Sequence, residues 1–199
     1  MPDNQAYSTY LRGRSRTGFL YRTLFLYPRL ARYLSGRVLD YGCGIGDFVR
    51  YRENTVGVDI NEHNVDHCRQ MGLDVRLIDG NHLQFTDGSF EGVVLDNVLE
   101  HIPSDNVDKV LGEIARVMKK SGTIVVGVPG VKGYESDPDH KVYYTKESLV
   151  SLFERHGFKP IKVFFMPLGF QGLEHILSQF CVYAVFTLSK APYQAWLDA

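Results

Sequence analysis

Several things are scarce in this chain, and each scarcity excludes a class of protein. Three cysteines, Cys43, Cys68 and Cys181, are an odd number and lack metal-ligand spacing. That usage argues against a disulfide framework and for a reducing compartment. No metal-ligand cluster is visible along the sequence, so no metal is expected. The opening Met1-Pro2-Asp3-Asn4-Gln5 is polar and has no apolar signal core, so no export signal is read and a cytoplasmic location is expected. Long apolar runs are missing too. The most apolar late stretch, Ile176 to Leu188, is broken by Ser178 and Gln179 and is too short to span a bilayer.

Acid is missing from one segment. Between Leu11 and Leu39 lie seven arginines (Arg12, Arg14, Arg16, Arg22, Arg29, Arg32 and Arg37) and no Asp or Glu, within a chain of net charge -1. Tyr10, Phe19, Tyr21, Phe25, Tyr27 and Tyr33 are interleaved with them. One reading is a solvated basic face on a helix that packs over the core. The other is a cap or lid, residues 1–36, that recruits an anionic acceptor, since arginine forks match phosphate and carboxylate. Nucleic acid is the weaker expectation because the charge is local and the sequence pI is about 6.6. With 199 residues, the chain is long enough for one self-supporting domain, expected over 37–199.

What is present centres on Val38-Leu39-Asp40-Tyr41-Gly42-Cys43-Gly44-Ile45-Gly46-Asp47. A short apolar run ends in a carboxylate and breaks into three glycines spaced two apart. This is the pattern of a strand feeding a tight turn whose backbone is left open to a ligand. A dinucleotide fingerprint needs its third glycine three residues after the second. That position is Asp47, so a nicotinamide cofactor is disfavoured.

Strand and helix patterns then alternate. Thr55–Asp59 reads as a strand, and Asn61 caps a helix that turns Val65, Cys68 and Met71 inward. Residues 74–78 and 90–95 are further strands. Ser104 is expected to cap an amphipathic helix with Val107, Val110, Leu111, Ile114, Val117 and Met118 on one face. Gly122–Val128 is a strand covered on both faces, 128–144 a long loop, and Thr145 caps a helix ending at Gly157. A strand at 159–166 follows, and 173–188 reads either as a turn and a last strand or as one apolar helix. Upstream, 18–35 is helical, with Leu20, Leu24, Tyr27 and Ala31 on one face and Pro28 at a kink or a second start.

The expected fold is α/β: a Rossmann-like, doubly wound, seven-stranded, mostly parallel sheet with an antiparallel terminal hairpin. Ligands of such sheets sit outside the carboxyl ends of the strands. Asp40, Asp59, Asp79 and Asp96 each fall at or just past such an end, and four carboxylates suit hydroxyls and amines rather than phosphates.

Taken in order, these motifs resemble class I S-adenosylmethionine-dependent methyltransferases of the small-molecule, type 11-like group. The resemblance covers roughly Val38 to Val128. It rests on the glycine motif, on Val56-Gly57-Val58-Asp59-Ile60, on Asp79-Gly80-Asn81-His82-Leu83-Gln84-Phe85, and on Asp96-Asn97-Val98-Leu99-Glu100-His101-Ile102. It implies S-adenosylmethionine as cofactor. Asp40, Gly42, Gly44 and Gly46 would lie at its methionine end, Asp59 on the ribose and Ile60 on the adenine face. Asp79, Gly80 and Asn81 would meet the adenine edge, with Asp96 and Asn97 beside the sulfonium. Asn81 and Asn97 depart from the smaller residues usual in that family.

The acceptor side is less legible. A hydroxyl nucleophile needs its proton accepted. His140, in Asp137-Pro138-Asp139-His140, is the first candidate base, and His101 the second; a surface turn and a helix cap are the structural alternatives. Tyr10, Arg12, Arg14 and Tyr143 are expected to contact a small or conjugated anionic acceptor, such as a sugar phosphate or lipid-like metabolite. Two other readings remain: a non-catalytic cofactor-binding partner protein and, less favoured, an RNA methyltransferase.

Overall fold

A computed structural model describes residues 5, 9, 16–79, 82–169 and 172–189. Seven strands form one sheet: β1 (Val38–Tyr41), β2 (Thr55–Asp59), β3 (Val75–Leu77), β4 (Phe90–Asp96), β5 (Met118–Pro129), β6 (Phe158–Met166) and β7 (Cys181–Leu188). Their order is β3-β2-β1-β4-β5-β7-β6. The first five run parallel, while β7 lies antiparallel between β5 and β6. Strand order reverses between β1 and β4, which is where such a sheet opens a crevice. The expected sheet, with its terminal hairpin, is therefore what forms. Residues 181–188 are strand, not helix.

Alternation along the central strands sorts the core onto two faces. Leu39, Val93, Leu95, Ile124 and Val126 face the cluster built by α5 (Ser104–Val117) and α7 (Lys146–Arg155). Val38, Val94, Val125 and Tyr183 face the other way, against the N-terminal helices. Those are α1 (Arg16–Tyr21), a wide π turn (Arg22–Leu26) and α2 (Tyr27–Ala31), with Pro28 in the first turn of α2. Pro28 gives the preceding turn no N–H, and the helical run passes from π to α geometry at this point. The expected inward face is wrong in detail. Leu20 and Leu24 are exposed, and Leu26, Tyr27, Leu30 and Leu34 are buried, because the π turn shifts the register of the stripe.

Other local expectations divide. Asn61 caps α4 (Glu62–Gln70) by accepting from the His63 N–H, and Val65 and Cys68 are buried, but Met71 is exposed one residue beyond the helix. Thr145 and Ser148 form a reciprocal capping box on α7. Ser104 is already inside α5, whose N-cap is Pro103 with no side-chain cap bond. The long loop after β5 contains α6 (Val131–Glu135), and residues 173–178 form turns held by Leu173. The remaining helix, α3 (Asp47–Tyr51), follows the glycine turn directly.

Candidate active site

The glycine turn is held by its own backbone. Gly42 and Cys43 N–H groups both donate to the Val58 carbonyl, Gly46 N–H donates to Cys43 O, and Gly44 N–H donates to Asp59 Oδ2 at 2.8 Å. Gly42, Gly44 and Gly46 all have positive φ. A Cβ on Gly42 would also come within 2.6 Å of the Val98 side chain, so this position needs glycine for both reasons. With these donors committed to β2, the turn is a poor phosphate cradle. What it presents is close backbone beside carboxylates.

Asp59 braces the turn as well as facing the crevice. Its Oδ1 accepts from Asn61 N–H at 2.8 Å while Oδ2 holds Gly44. Burial pushes its carboxyl up, and the Asn61 and Gly44 hydrogen bonds oppose that shift. Asp40, fully buried in β1, is pushed well above the usual range by burial first and then by the charges of Asp96 and Asp59. Asp79 accepts from His82 N–H at 3.1 Å. The turn-capping role thus coexists with the rim position at both Asp59 and Asp79. Ile60 is 67% exposed just past β2, an apolar surface offered outward. Gly80 and Asn81 lie outside the described residues.

Asp96 ends β4 and gains partners that no sequence spacing announces. Tyr183, from β7, donates its phenol to Asp96 Oδ1 at 2.6 Å, and Asn97 Nδ2 donates to the same oxygen at 3.0 Å. Asn97 takes a positive φ of 55°, which asparagine tolerates better than most residues. The Tyr183 ring lies flat on Gly127 of β5, where a Cβ would meet Cε1 at 2.3 Å.

The arginine-rich segment also reaches this rim. Arg22 pairs with Asp47 at 3.0 Å, tying the π turn to the start of α3. The Tyr21 hydroxyl is buried without a hydrogen-bond partner among the described residues. Its pKa is pushed up to about 12 by burial, then by Cys181 and Asp96. Arg22 Nε is likewise buried with no hydrogen-bond partner among the described residues. Tyr27 is raised by burial and by Asp96, Asp47 and Asp40. Arg29 and Arg37 stack over Phe164 and Phe90, so much of the basic segment is absorbed in packing. Tyr10, Arg12 and Arg14 lie outside the described residues.

His101 and His140 come together, their ring centroids 4.7 Å apart. His101 lies in the single 3-10 turn Leu99–His101, and His140 lies in the loop after α6. Their common neighbour is Glu100, which is only 1% exposed. No other described residue hydrogen-bonds either carboxylate oxygen of Glu100. Burial pushes its pKa up to about 8, with smaller contributions from the charges of Asp96 and Asp137. Its backbone carbonyl takes Lys141 and Val142 N–H, stitching the His140 loop to the turn after β4. His140 Nδ1 lies 2.8 Å from Tyr134 O. A carbonyl only accepts, so Nδ1 carries a proton, and Nε2 faces Glu100 Oε1 at 3.8 Å. His101 is lowered by burial and by His140, and it bonds the Asp139 backbone. Sequence spacing shows no ligand cluster, yet the fold assembles one from Glu100, His101 and His140. The signal was Glu100, an acid set next to His101 among the apolar Val98, Leu99 and Ile102. Tyr143 lines a separate pocket of about 150 Å³ with Phe165, Phe180, Val182, Lys146 and Glu174.

Comparison with known proteins agrees with this geometry. Residues 39–126 match the methyltransferase-domain family model. An uncharacterized protein of Methanocaldococcus jannaschii is 34% identical over 144 residues, 67% of this chain and 61% of that protein. A 24-methylenesterol C-methyltransferase of Oryza sativa is 38% identical over 102 residues, 45% of this chain and 28% of that one. The solved SAM-dependent methyltransferase of Archaeoglobus fulgidus superposes with a TM-score of 0.67 at 22% identity, covering 85% of this chain and 99% of that one. The chain thus spans about two thirds or less of the length of the curated relatives it matches. Over 39–126 the chain is similar to methyltransferase domains, and its fold is like that of solved S-adenosylmethionine-dependent methyltransferases, a likeness that implies S-adenosylmethionine as cofactor. The residues present fit that group: a turn closed to phosphate, a carboxylate rim, and the Tyr21 hydroxyl and Arg22 Nε, which have no hydrogen-bond partner among the described residues. Among the described residues no helix is long and apolar enough to cross a membrane.

Proposed function

We propose that the protein transfers a methyl group from S-adenosylmethionine to an oxygen or nitrogen of an amphipathic, anionic small-molecule acceptor. The observation that carries this reading is the single rim shared by the glycine turn, Asp59, Asp96 and the Glu100–His101–His140 cluster. Asp40, Gly42, Gly44 and Gly46 hold the methionine end, joined by Tyr21 and Arg22 from the 1–36 cap. Asp59 keeps lone pairs for the ribose hydroxyls beyond those spent on Gly44 and Asn61. Ile60 packs on the adenine, Asp79, Gly80 and Asn81 meet its edge, and Asp96 with Asn97 lines the reacting end.

A sulfonium methyl group is already an activated electrophile. The chain's own task is alignment and exclusion of water. The nucleophilic group of the acceptor enters at His140 and His101, where the Nε2 lone pair of His140 is held in place by Tyr134. Its apolar part occupies the pocket of Tyr143, Phe165, Phe180 and Val182, with Lys146 at the edge for an anionic group. A sterol-methylating relative agrees with an acceptor of lipid-like character.

Two measurements test the reading. Asp59→Ala should weaken S-adenosylhomocysteine binding roughly 10- to 100-fold by calorimetry, the worth of charge-assisted hydrogen bonds; unchanged affinity removes the ribose assignment. Tritiated-methyl transfer to fractionated metabolites and lipids should label an amphipathic fraction. Tight cofactor binding with no label in any fraction would instead make this a non-catalytic partner protein.

A further inference from the structure

We propose that Glu100, His101 and His140 hold a divalent transition-metal cation, such as Zn(II), whose open positions take an oxygen of the acceptor. The inference deepens the methyl-transfer reading and rests on it only for the identity of the bound oxygen. Its ground is a buried arrangement that is incomplete without a cation. Glu100 presents a carboxyl group 1% exposed with no hydrogen-bond partner from any other described residue, turned toward His140 Nε2. The two atoms face each other at 3.8 Å, too far for a direct hydrogen bond and too buried for bulk water.

A cation fits the spacing. Bonds of about 2.1 Å put two donors roughly 3.4 Å apart across a tetrahedral angle and about 4.2 Å apart across a linear one. The Glu100–His140 distance falls between these, and all three ligand atoms lie within 4.8 Å of one another, a gap that small side-chain movements close. The outer contact of His140 is the one a ligating histidine requires. His140 Nδ1–H donates to Tyr134 O, so that ring is oriented by a carbonyl on the side away from Glu100. Two imidazoles and one carboxylate suit zinc or ferrous iron rather than magnesium or calcium. Three protein ligands leave coordination positions open, the mark of a catalytic rather than a structural site.

The position gives the cation a task. Glu100 follows Asp96 and Asn97 by one short turn, and its carboxylate senses the Asp96 charge. An acceptor hydroxyl coordinated there loses its proton to solvent water at a lower pH than when free, and the resulting oxyanion stays bound. The cation would then do what direct proton uptake by His140 would otherwise do.

The test uses full-length protein without a histidine tag, stripped with chelator, then dialysed against Zn(II) and assayed for metal content and for Zn(II) affinity by calorimetry. Wild type should retain one ion per chain. Glu100→Gln and His140→Ala should each lose affinity by at least the roughly 10- to 100-fold that even an outer contact is worth. Both should still bind S-adenosylhomocysteine, which reports an intact fold. His101→Ala, at a less buried position, serves if either fails to fold. No retained zinc, or zinc retained equally by the variants, overturns the proposal; in the second case the pair His63 and His67 on α4 would be the source. Zinc bound in this way by a protein with no affinity for S-adenosylhomocysteine would sink the methyltransferase reading and leave the cation site standing.

Discussion

At Asp40 the needs of folding and of binding oppose each other. Its carboxyl is fully buried and lies near Asp59 and Asp96, so its folded pKa is well above the usual value. A raised carboxylate pKa means the folded state binds the proton more tightly, so this residue adds stability only as pH falls through that raised value. At neutral pH its charge is a cost. Asp40→Asn, close to isosteric and neutral, should therefore stabilise the protein by about 0.5–2 kcal/mol in urea unfolding at pH 7 and weaken S-adenosylhomocysteine binding. A variant that loses stability at pH 7 would show that Asp40 has a structural partner. Tyr183 sits at the same rim and was not foreseen, because nothing in a β-strand alternation says which tyrosine will cross the sheet to an aspartate 87 residues away.

Elements decide which face meets which. The N-terminal helices were legible as helices, but their buried stripe was not. Five residues in π geometry, Arg22–Leu26, rotate the apolar face so that Leu30 rather than Leu24 enters the core. Leu30 is fully buried against the sheet face that carries Val38, Val94 and Val125. Leu30→Ala should cost about 2–5 kcal/mol in chemical denaturation, a cavity in the main core. A cost below 1 kcal/mol, by contrast, would mean that the cap helix rests loosely on the sheet. α7 shows the opposite case: Thr145 and Ser148 announce its start by local chemistry alone, and the capping box forms as the spacing requires.

Over the whole molecule, acid should act first at the α5 edge. Glu113 is held down to about 2 mainly by its hydrogen bonds to Arg116, with Leu83 N–H and His82 helping. A lowered carboxylate pKa gives stability that is fully present above its ordinary value and lost as pH falls toward 2. Thermal melts should thus decline between pH 4.5 and about 2. Glu113→Gln should flatten that decline while leaving the Asp40 effect in place. An unaltered acid limb in Glu113→Gln would assign it to other carboxylates. The Arg116 fork also takes the Leu83 and Phe85 carbonyls, so this pair anchors the chain that leads from Asp79 to β4.

Sequence alone determined the first six strands, the glycine turn and the strand-end carboxylates Asp40, Asp59 and Asp96, and it left the seventh strand open between strand and helix. These depend on short-range rules: alternation, glycine where φ is positive, and acids at strand ends. Tertiary structure decided the rest. It placed Tyr21, Arg22 and Tyr183 at the rim, and it brought His140 to Glu100 and His101 across 40 residues. Such contacts join side chains from separate elements. Their geometry depends on how the sheet twists and how loops close over it, and no local pattern carries that information.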